Sequence, residues 1–521
     1  MRLFFGLRSS FLTTTKRGAL TGVKDISSRI FISRFQTTKL QPVKKRLSLF
    51  RVLWRVSAIG LLGGVGYYTY SIYIGRHPRV QLDPDSSKKT LIVLGSGWAS
   101  VSLLKSIDTE NYNVVVISPR NYFLFTPLLP SCTTGTIEHR SIIEPLRHIL
   151  RHKKMSVKFY EANCTKIDAK NRFITFKDES DVTGEVNETS ISFDYLVIGT
   201  GSENSTFGVK GVVDYACFLK EIWDSQKIRT KIMDCVETAT FKDQSPAEKK
   251  RLLHMVVVGG GPTGVEFAGE LHDFFEQDLR KWIPEIADDF KVTLVEALPN
   301  VLQSFSKQLI DYTENVFKDE KISVHTKTMV KEVREKSIVA EVGNADGTKE
   351  TIEIPYGLLV WATGNTMRPL VRDFVKSLGV YQKDARRGIL VNDYLVCQGT
   401  QNIWALGDCA STKFAPTAQV ASQQGSYLAG LFNTMAKSEI LQSKVHSLET
   451  ALHSETSLTA KSAIEDELRY ISKSLRKVKQ IKPFEYSHQG SLAYIGSDRA
   501  VADVSLFNGN FASVWPYANI S

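Results

Sequence analysis

The segment VVVGGGPTGVE, residues 256–266, passes directly from an apolar run into a glycine-rich turn. Gly259, Gly261 and Gly264 complete the pattern GxGxxG, and a helix-like stretch, FAGELHDFFEQDLRKW, follows. The first glycine permits a tight turn, the second lets the backbone approach a pyrophosphate at the helix N-terminus, and the third allows close helix packing. The segment therefore predicts a βαβ unit that binds a dinucleotide.

The next apolar run of this unit ends in an acid. Val292 to Val295 is followed by Glu296, which lies 32 positions after Gly264. The usual spacing is ~20 residues, and the inserted stretch KWIPEIADDF accounts for the difference. An acid at this point accepts hydrogen bonds from an adenosine ribose and repels a 2′-phosphate, so NAD is expected rather than NADP.

A similar unit lies nearer the N-terminus. The apolar run TLIVL, residues 90–94, enters Gly95, Ser96 and Gly97, and a second apolar run, NVVVIS, follows a helix-like stretch. Ser100 stands in place of the third glycine and is small enough for close helix packing. Two such units predict two dinucleotides and an α/β fold with two Rossmann-like domains.

Three further apolar runs end in turns that fit the same plan. YLVIGTGS contains Thr200 and Gly201, and LLVWATGN contains a second Thr-Gly pair. Taken alone, both are ordinary buried strands. The run IWALGD is more specific, because a strand that ends in Gly407 and Asp408 places a carboxylate at the carboxyl edge of a sheet, where it can bind a polyol.

The positive charge of the chain belongs to its N-terminal tenth. The 521 residues include 66 basic and 55 acidic side chains, a formal charge of +11. Residues 1–55 contribute +12, from 13 basic residues and Asp25, so residues 56–521 carry −1. A nucleic-acid-binding body would need a basic stripe on its folded domains. Nucleic acid is therefore not an expected partner.

Cysteine usage narrows the possible chemistry. No two cysteines are adjacent or spaced as CxC, CxxC or CxxxxC, which argues against a zinc ribbon, a disulfide framework and a redox-active pair. The sequence also lacks an EF-hand pattern, so calcium control of that kind is not expected. No metal is predicted. The six cysteines are Cys132, Cys164, Cys217, Cys235, Cys397 and Cys409.

The N-terminal region reads as a targeting and attachment segment. Residues 1–55 mix Arg, Ser, Thr and Leu with a single acid, which is typical of a mitochondrial transit peptide; a disordered basic tail is the alternative. Residues 56–75 carry no charge and match the ~20 residues that cross a hydrocarbon core. A transmembrane helix is predicted there, with a buried helix or a cleaved sorting signal as alternatives.

Three segments resemble the type II NADH dehydrogenases, which are single-subunit, non-pumping NADH:ubiquinone oxidoreductases. These are NYFLFTPLLPS (121–131), VVVGGGPTGVEFAGEL (256–271) and PTAQVASQQGSYLA (416–429). Within the family, the chain is most similar to the fungal mitochondrial external form. The resemblance extends from about Lys88 to Asp503, around 80% of the chain.

The resemblance implies FAD at the first unit and NADH at the second. Asp408 would bind the ribityl chain, and Glu266 would lie near the nicotinamide. Gln419 would border the isoalloxazine where quinone approaches, and Tyr494 in SLAYIGS would line that side. The FAD-binding residues would be Gly95, Ser96, Gly97, Thr200, Gly201, Asp408 and Ala418, and the NADH-binding residues Gly259, Gly261, Gly264 and Glu296.

The expected domains alternate along the chain. An FAD domain would comprise 88–250 and 366–433, with an NADH domain at 251–365. Apolar residues at helical spacing predict an inserted helical hairpin at 434–480, with a partner-binding coiled coil as the alternative. Residues 481–521 would form a shortened C-terminal region.

Two departures from the family pattern affect the quinone side. Relatives can carry AQVAHQE where this chain has AQVASQQ, so Ser422 and Gln424 remove an imidazole and a carboxylate. Protons for quinone would then come from water or another group. The 18 residues after Asp503 contain no Lys or Arg, so the basic amphipathic membrane helices of the family are not expected there.

The expected reaction is hydride transfer from NADH to FAD, followed by transfer of two electrons to ubiquinone without proton pumping. The enzyme would belong to the respiratory chain of the mitochondrial inner membrane, its catalytic body facing the intermembrane space, and a homodimer is one option. Two alternatives stay open. One is an NADH-oxidising flavoprotein with another acceptor, as in apoptosis-inducing flavoproteins, and the other is a catalytically impaired cofactor-binding membrane protein.

Overall fold

The computed structural model describes residues 44–516 except 79, 183, 345–346, 456 and 507–508, and it describes no side chains for 44–53 and 504–516. The chain divides after Arg76 into two units. The predicted transit peptide lies mostly outside the described residues. The helices, in chain order, are α1 (Lys44–Arg76), α2 (Trp98–Ser106), α3 (Leu129–Thr134), α4 (Leu146–Leu150), α5 (Val212–Tyr215), α6 (Ile222–Ala239), α7 (Pro246–Leu252), α8 (Pro262–Phe274), α9 (Arg280–Trp282), α10 (Lys307–Asp319), α11 (Pro369–Ser377), α12 (Ala418–Ser454) and α13 (Leu458–Val478).

The strands are mostly short and fall into several sheets. In chain order they are β1 (Thr90–Leu94), β2 (Asn113–Ser118), β3 (Tyr122–Leu124), β4 (Ile143–Pro145), β5 (Lys158–Glu161), β6 (Asn163–Asp168), β7 (Phe173–Lys177), β8 (Glu188–Ser192), β9 (Tyr195–Ile198), β10 (Ser202–Asn204), β11 (Cys217–Phe218), β12 (His254–Val258), β13 (Lys291–Val295), β14 (Ser323–His325), β15 (Thr328–Val333), β16 (Ser337–Gly343), β17 (Lys349–Pro355), β18 (Leu358–Trp361), β19 (Asn365–Met367), β20 (Ile389–Leu390), β21 (Ile403–Ala405), β22 (Ala410–Ser411), β23 (Ser491–Tyr494), β24 (Arg499–Leu506) and β25 (Gly509–Pro516).

The first unit is described by the single helix α1. Its side chains from Trp54 onward are largely exposed, with Tyr67 at 75% and Leu61 at 72%. Within the described residues, no helix is both long enough and apolar enough to cross a membrane. The predicted transmembrane segment at 56–75 falls on α1 and is not confirmed; its five glycines supply no apolar side chains.

The first parallel sheet has the strand order β21-β9-β1-β2-β5. Leu91 and Val93 of β1 pack towards α2, α4 and α12, while Ile92 packs on the other face with β6 and β7. All three side chains are fully buried, because both faces of the sheet are covered. The apolar run TLIVL thus forms the centre of the first nucleotide-binding sheet.

The second parallel sheet repeats this layout with the order β11-β18-β12-β13-β14. Met255 and Val257 of β12 pack with α6, α8 and α10, and Val256 faces the antiparallel sheet β15-β16-β17. The strand begins at His254, two residues after α7 ends at Leu252. The prediction of an α/β fold with two Rossmann-like sheets is confirmed.

The C-terminal quarter adds a long helical pair and a small sheet. The segment 434–480 falls on α12 and α13, but α12 begins at Ala418 and continues without a break, so no separate helix starts at 434. The strands β23, β24 and β25 form an antiparallel sheet. The described residues after Asp503 lie in β24 and β25 and are not helical.

Candidate functional site

The first glycine turn is fixed by its backbone. Gly95 has φ of +101°, and a Cβ there would lie 2.4 Å from the carbonyl oxygen of Gly199. Only glycine fits such a position. Ser96 is buried, and its hydroxyl donates to the Tyr122 carbonyl at 2.9 Å and accepts from Ser118 at 3.0 Å. The Ser96 side chain therefore stabilises the turn, and its contact with a ligand would come from the backbone.

A cleft follows the carboxyl edge of the first sheet. Its lining brings together residues that come after β1, β9 and β21, including Gly97, Thr200, Gly201, Asp408 and Ala418. Gly201 has φ of +68°, and a Cβ there would meet no atom within 4 Å. All the predicted FAD-binding residues therefore lie on this one cleft, with Ser96 in its wall.

Asp408 is held by a chain of hydrogen bonds. The Ser202 hydroxyl donates to its carboxylate at 3.1 Å. The Lys220 ammonium in turn donates to the Ser202 oxygen at 2.8 Å and to the Asn365 side-chain oxygen at 2.7 Å. Burial lowers the pKa of Lys220, and the nearby Asp408 carboxylate partly opposes that effect. The carboxylate is therefore oriented before any ligand arrives.

A second group of charges lines the same cleft. Glu221 accepts a hydrogen bond from Arg120 at 2.7 Å and lies 3.5 Å from a guanidinium nitrogen of Arg368. The Nε of Arg368 is buried and has no hydrogen-bond partner among the described atoms. With Lys220 and Asp408, three cations face two carboxylates. The positive excess and the unpaired donor suit a pyrophosphate.

Sequence reasoning missed Lys220, Glu221 and Arg368. Each is a single charged residue in a turn or at a helix start, and such residues are common on surfaces. The one available signal was Arg120, which stands shortly after a strand of a glycine-turn unit, where an acid is usual. The cluster becomes visible only when 120, 220 and 368 meet in the fold.

The second glycine turn packs its backbone more tightly than the first. Gly259 has φ of +120°, and a Cβ on Gly264 would lie 1.9 Å from the Gly259 carbonyl oxygen. Gly261 has open space around its Cβ position. Glu296 accepts from the Gly260 amide at 2.5 Å and from the Leu298 amide at 2.7 Å. The acid is thus fixed beside the turn at the helix N-terminus.

A separate cavity of about 530 Å³ joins three of the sequence motifs. It is lined by Pro127 to Ser131 in part, by Glu266 of α8 and by Tyr494 of β23. Burial raises the pKa of Glu266 to about 8, a backbone amide at Tyr494 opposes this, and the Glu270 carboxylate adds to it. A carboxyl of this kind can hold a proton near neutral pH.

Two neighbours of Glu266 extend the polar wall of this cavity. The Tyr494 hydroxyl donates a hydrogen bond to the Asp273 carboxylate, and burial together with that bond raises the pKa of Tyr494. Glu270 accepts from Ser131 at 2.5 Å and from Thr136 at 3.2 Å. Glu270 and Asp273 were missed in the sequence; they lie on α8, one turn and two turns after Glu266.

Gln419 is not part of that cavity wall. Its amide nitrogen donates to the Gly490 carbonyl at 2.7 Å, and its oxygen accepts from the Tyr486 hydroxyl at 3.0 Å. The preceding residue, Ala418, lines the first cleft. The structure therefore brings Glu266 and Tyr494 together and places Gln419 beside the first cleft instead.

The two departures in AQVASQQ have defined contacts. Ser422 lies 2.8 Å from Ser102 of α2 through their hydroxyl oxygens. Gln424 is buried, and its side-chain oxygen accepts from the Gly407 amide at 2.7 Å. Gln424 thus holds the turn that carries Asp408, a role that an ionised carboxylate could also fill.

Comparison with known proteins gives the same family that the sequence motifs resemble. The family described as pyridine nucleotide-disulphide oxidoreductase matches residues 89–425. The external alternative NADH-ubiquinone oxidoreductase of Yarrowia lipolytica is 60% identical over 89% of this chain and 80% of its own length. The external NADH-ubiquinone oxidoreductase 2 of Saccharomyces cerevisiae is 43% identical over 86% of this chain and 80% of its own.

A solved structure supports the assignment over most of the fold. NDH2 of Plasmodium falciparum in complex with NADH is 28% identical, covers 82% of this chain and 91% of its own, and superposes with a TM-score of 0.68. All six cysteines are free and buried. The chain belongs to the pyridine nucleotide-disulphide oxidoreductase family and, within it, to the type II NADH dehydrogenases.

Proposed function

We propose that this enzyme oxidises NADH and passes the two electrons through FAD to ubiquinone. The observation that carries the proposal is the meeting of the two nucleotide units. Thr126 lines the first cleft, and the next residue, Pro127, lines the cavity that contains Glu266. Hydride transfer needs two rings in contact, and the two sites adjoin at this pair of consecutive residues.

FAD fits the first cleft on three counts. A flavin dinucleotide could occupy the open space at Gly201. Its pyrophosphate could accept a hydrogen bond from the unpaired Nε of Arg368 and balance the positive charge excess of the cleft. The backbone at Gly95 and Gly97 would meet the pyrophosphate, and Asp408 would accept from ribityl hydroxyls. When bound, FAD supplies the two-electron acceptor and donor chemistry that amino-acid side chains lack.

NADH fits the second turn. Gly261 leaves the backbone open to a pyrophosphate, and Glu296 places a fixed negative charge beside it. That carboxylate would accept from the adenosine ribose and disfavour a 2′-phosphate. The relatives described above are named NADH-ubiquinone oxidoreductases, and the solved NDH2 structure is a complex with NADH.

The remaining site residues divide between the two substrates. We assign Glu266 to the nicotinamide side, where its carboxyl lies on the helix that starts at the second turn. Tyr494 would form the far wall of that cavity. Gln419 would shape the quinone approach, because it ties the segment before Gly490 to the helix that carries Ala418.

The cellular location of the enzyme is proposed from its relatives. The curated relatives are named as mitochondrial and external, and we place this enzyme at the mitochondrial inner membrane with its catalytic body facing the intermembrane space. The exposed Trp54, Leu61 and Tyr68 of α1 suit contact with the membrane interface. Light scattering of the purified enzyme would test the homodimer.

Turnover with two acceptors tests the function directly. The purified protein should be yellow and should bleach when NADH is added under anaerobic conditions. It should then reduce both ferricyanide, which needs only reduced flavin, and a ubiquinone analogue. Rapid ferricyanide reduction with no quinone reduction would contradict the proposal and favour another acceptor, and colourless protein would contradict the cofactor assignment.

A further inference from the structure

A row of basic side chains, which we call the basic edge, occupies the end of α13 and the residues after it. All six members are exposed, and the sequence contains no acid from Leu468 to Phe484. The formal charge of residues 56–521 is −1 and that of the basic edge is +6, so the other residues of 56–521 carry a formal charge of −7. The members are Arg469, Lys473, Arg476, Lys477, Lys479 and Lys482.

Four members of the basic edge occupy one face of α13. Arg469, Lys473, Arg476 and Lys477 follow the spacing i, i+4, i+7 and i+8, which places them on one stripe. The opposite face carries Ile471, which is buried, in the contact with α12. The charges therefore point away from the protein and not towards a neighbouring helix.

Most of these charges have no ion-pair partner among the residues that the structure describes. Arg469 lies 3.8 Å from Asp466, and among the described residues the other five members make no ion pair. The helix dipole accounts for Arg476 and Lys477, which lie in the last turn. It does not account for Lys479 and Lys482, which come after the helix and are exposed, so their charges are available to a negative surface outside the protein.

The segment after the basic edge leads back to the candidate quinone side. Side chains at every fourth position of α12 hold it in place. The Tyr427 hydroxyl donates to the Lys482 carbonyl at 2.8 Å, Gln423 donates to Ser487 at 2.8 Å, and Gln419 donates to Gly490 at 2.7 Å. Eight residues of helix span ~12 Å, so Lys482 lies about that distance along α12 from the level of Gln419.

We infer that the basic edge docks on an anionic phospholipid membrane. Clusters of four to eight Lys and Arg on an amphipathic helix are a recognised pattern for anionic lipid binding. Tyr470, 73% exposed, stands beside the stripe and adds an aromatic side chain of the kind found at membrane interfaces. Docking at this edge would bring the Gln419 side within reach of quinone dissolved in lipid, a consequence that rests on the proposed function; lipid binding itself does not.

Vesicle sedimentation of the full-length holoenzyme tests this inference without any turnover. Vesicles of phosphatidylcholine alone are compared with vesicles of equimolar phosphatidylcholine and cardiolipin. The test variant combines Lys473→Gln, Lys477→Gln, Lys479→Gln and Lys482→Gln. A control variant removes the same charge from exposed lysines elsewhere on the body, through Lys170→Gln, Lys242→Gln, Lys281→Gln and Lys383→Gln. The N-terminal basic segment is identical in all three proteins.

The test variant should bind cardiolipin vesicles at least roughly tenfold more weakly than the control variant, since each basic residue near an anionic surface changes binding by roughly fivefold. Added salt should reduce the difference. Equal binding by the two variants would overturn the inference and point to an acidic protein partner or none. Unchanged flavin content and ferricyanide turnover would show that the variant is folded, and loss of quinone turnover in all three proteins would refute the proposed function alone.

Discussion

The two glycine turns of this enzyme share a backbone plan and differ in the charge beside it. Gly95 and Gly259 both have positive φ, at +101° and +120°. After the second strand of each unit, however, the first turn has Arg120 in its cleft and the second has Glu296. Under the proposed function, the glycines would set the geometry of dinucleotide binding, and the residue at the strand end would select the dinucleotide.

The two helices that start at these turns differ in the same way. Seven positions after the first glycine, α2 carries Ser102 and α8 carries Glu266. Ser102 bonds to Ser422 on α12, whereas Glu266 lines a cavity with Tyr494. One unit uses this position for packing and the other for an ionisable group. Substitutions at paired positions can separate these roles.

The largest effect is expected from Gly264→Ala. Its Cβ would lie 1.9 Å from the Gly259 carbonyl oxygen, a backbone atom that can move only if the turn opens. Unfolding free energy should fall by more than about 3 kcal/mol, and NADH binding should be lost. Thermal denaturation and NADH titration measure both.

Gly261→Ala is the matched control for that experiment. Its Cβ would meet no protein atom within 4 Å, so the melting temperature should hardly change while NADH binding weakens through contact with the ligand. A similar loss of stability in both variants would mean that packing of the turn does not distinguish the two glycines.

Glu266→Gln should change the pH dependence of stability. The pKa of this carboxyl rises from 4.5 to about 8 on folding because of burial. The folded protein therefore keeps a proton that the unfolded chain releases, and it loses stability as pH rises from near 4.5 to about 8. Glutamine removes this loss, so the variant should gain roughly 3 kcal/mol relative to the parent between pH 5 and pH 8.

Urea denaturation at the two pH values measures that difference. Glu449→Gln, at an exposed site on α12, serves as the control and should show no pH-dependent gain. Parallel curves for Glu266→Gln and the parent at both pH values would show that Glu266 ionises normally, and would remove its assignment as a proton-holding group.

Asp408→Ala and Glu296→Ala should each weaken the binding of a different nucleotide, FAD in the first variant and NADH in the second. Loss of a hydrogen bond to a charged group costs about 1.5–3 kcal/mol, or roughly 10–100-fold in affinity. Asp408→Ala should release FAD, and Glu296→Ala should raise the NADH dissociation constant by that factor while leaving FAD content unchanged. Unchanged NADH affinity in Glu296→Ala would refute the role of Glu296, and unchanged flavin content in Asp408→Ala would refute that of Asp408.

The comparison also shows what a sequence can reveal. Apolar runs that end in glycine are local signals, so β1 and β12 and both turns were predictable from consecutive residues. The position of Asp408 was predictable for the same reason, since it comes three residues after the end of a buried strand. The transmembrane helix expected at 56–75 falls on α1, and its crossing of a membrane is not confirmed within the described residues.

The charged cluster in the first cleft could be identified only from the folded structure. Glu221 meets Arg120 and Arg368 across more than a hundred positions of sequence, and nothing local to any of them predicts the others. In the sequence, Gln424 was interpreted as the loss of a carboxylate. In the structure, its side-chain oxygen accepts a hydrogen bond from the Gly407 amide. Contacts between distant segments decide such roles, and composition and spacing do not encode them.

The smallest effect is expected at Ser102, the counterpart of Glu266. Ser102→Ala removes a half-buried hydroxyl pair with Ser422 at 2.8 Å and a longer contact with Ser426 at 3.3 Å. A neutral hydrogen bond of this kind contributes about 1 kcal/mol, and Ser422→Ala should cost about the same. The double variant should cost little more than either single one, because both remove one shared bond. NADH affinity and flavin content should stay at parent values in all three proteins. If Ser102→Ala instead weakened quinone or NADH turnover severalfold, the first helix would carry a functional group at the same position as the second, and the division between a packing position and an ionisable position would fail.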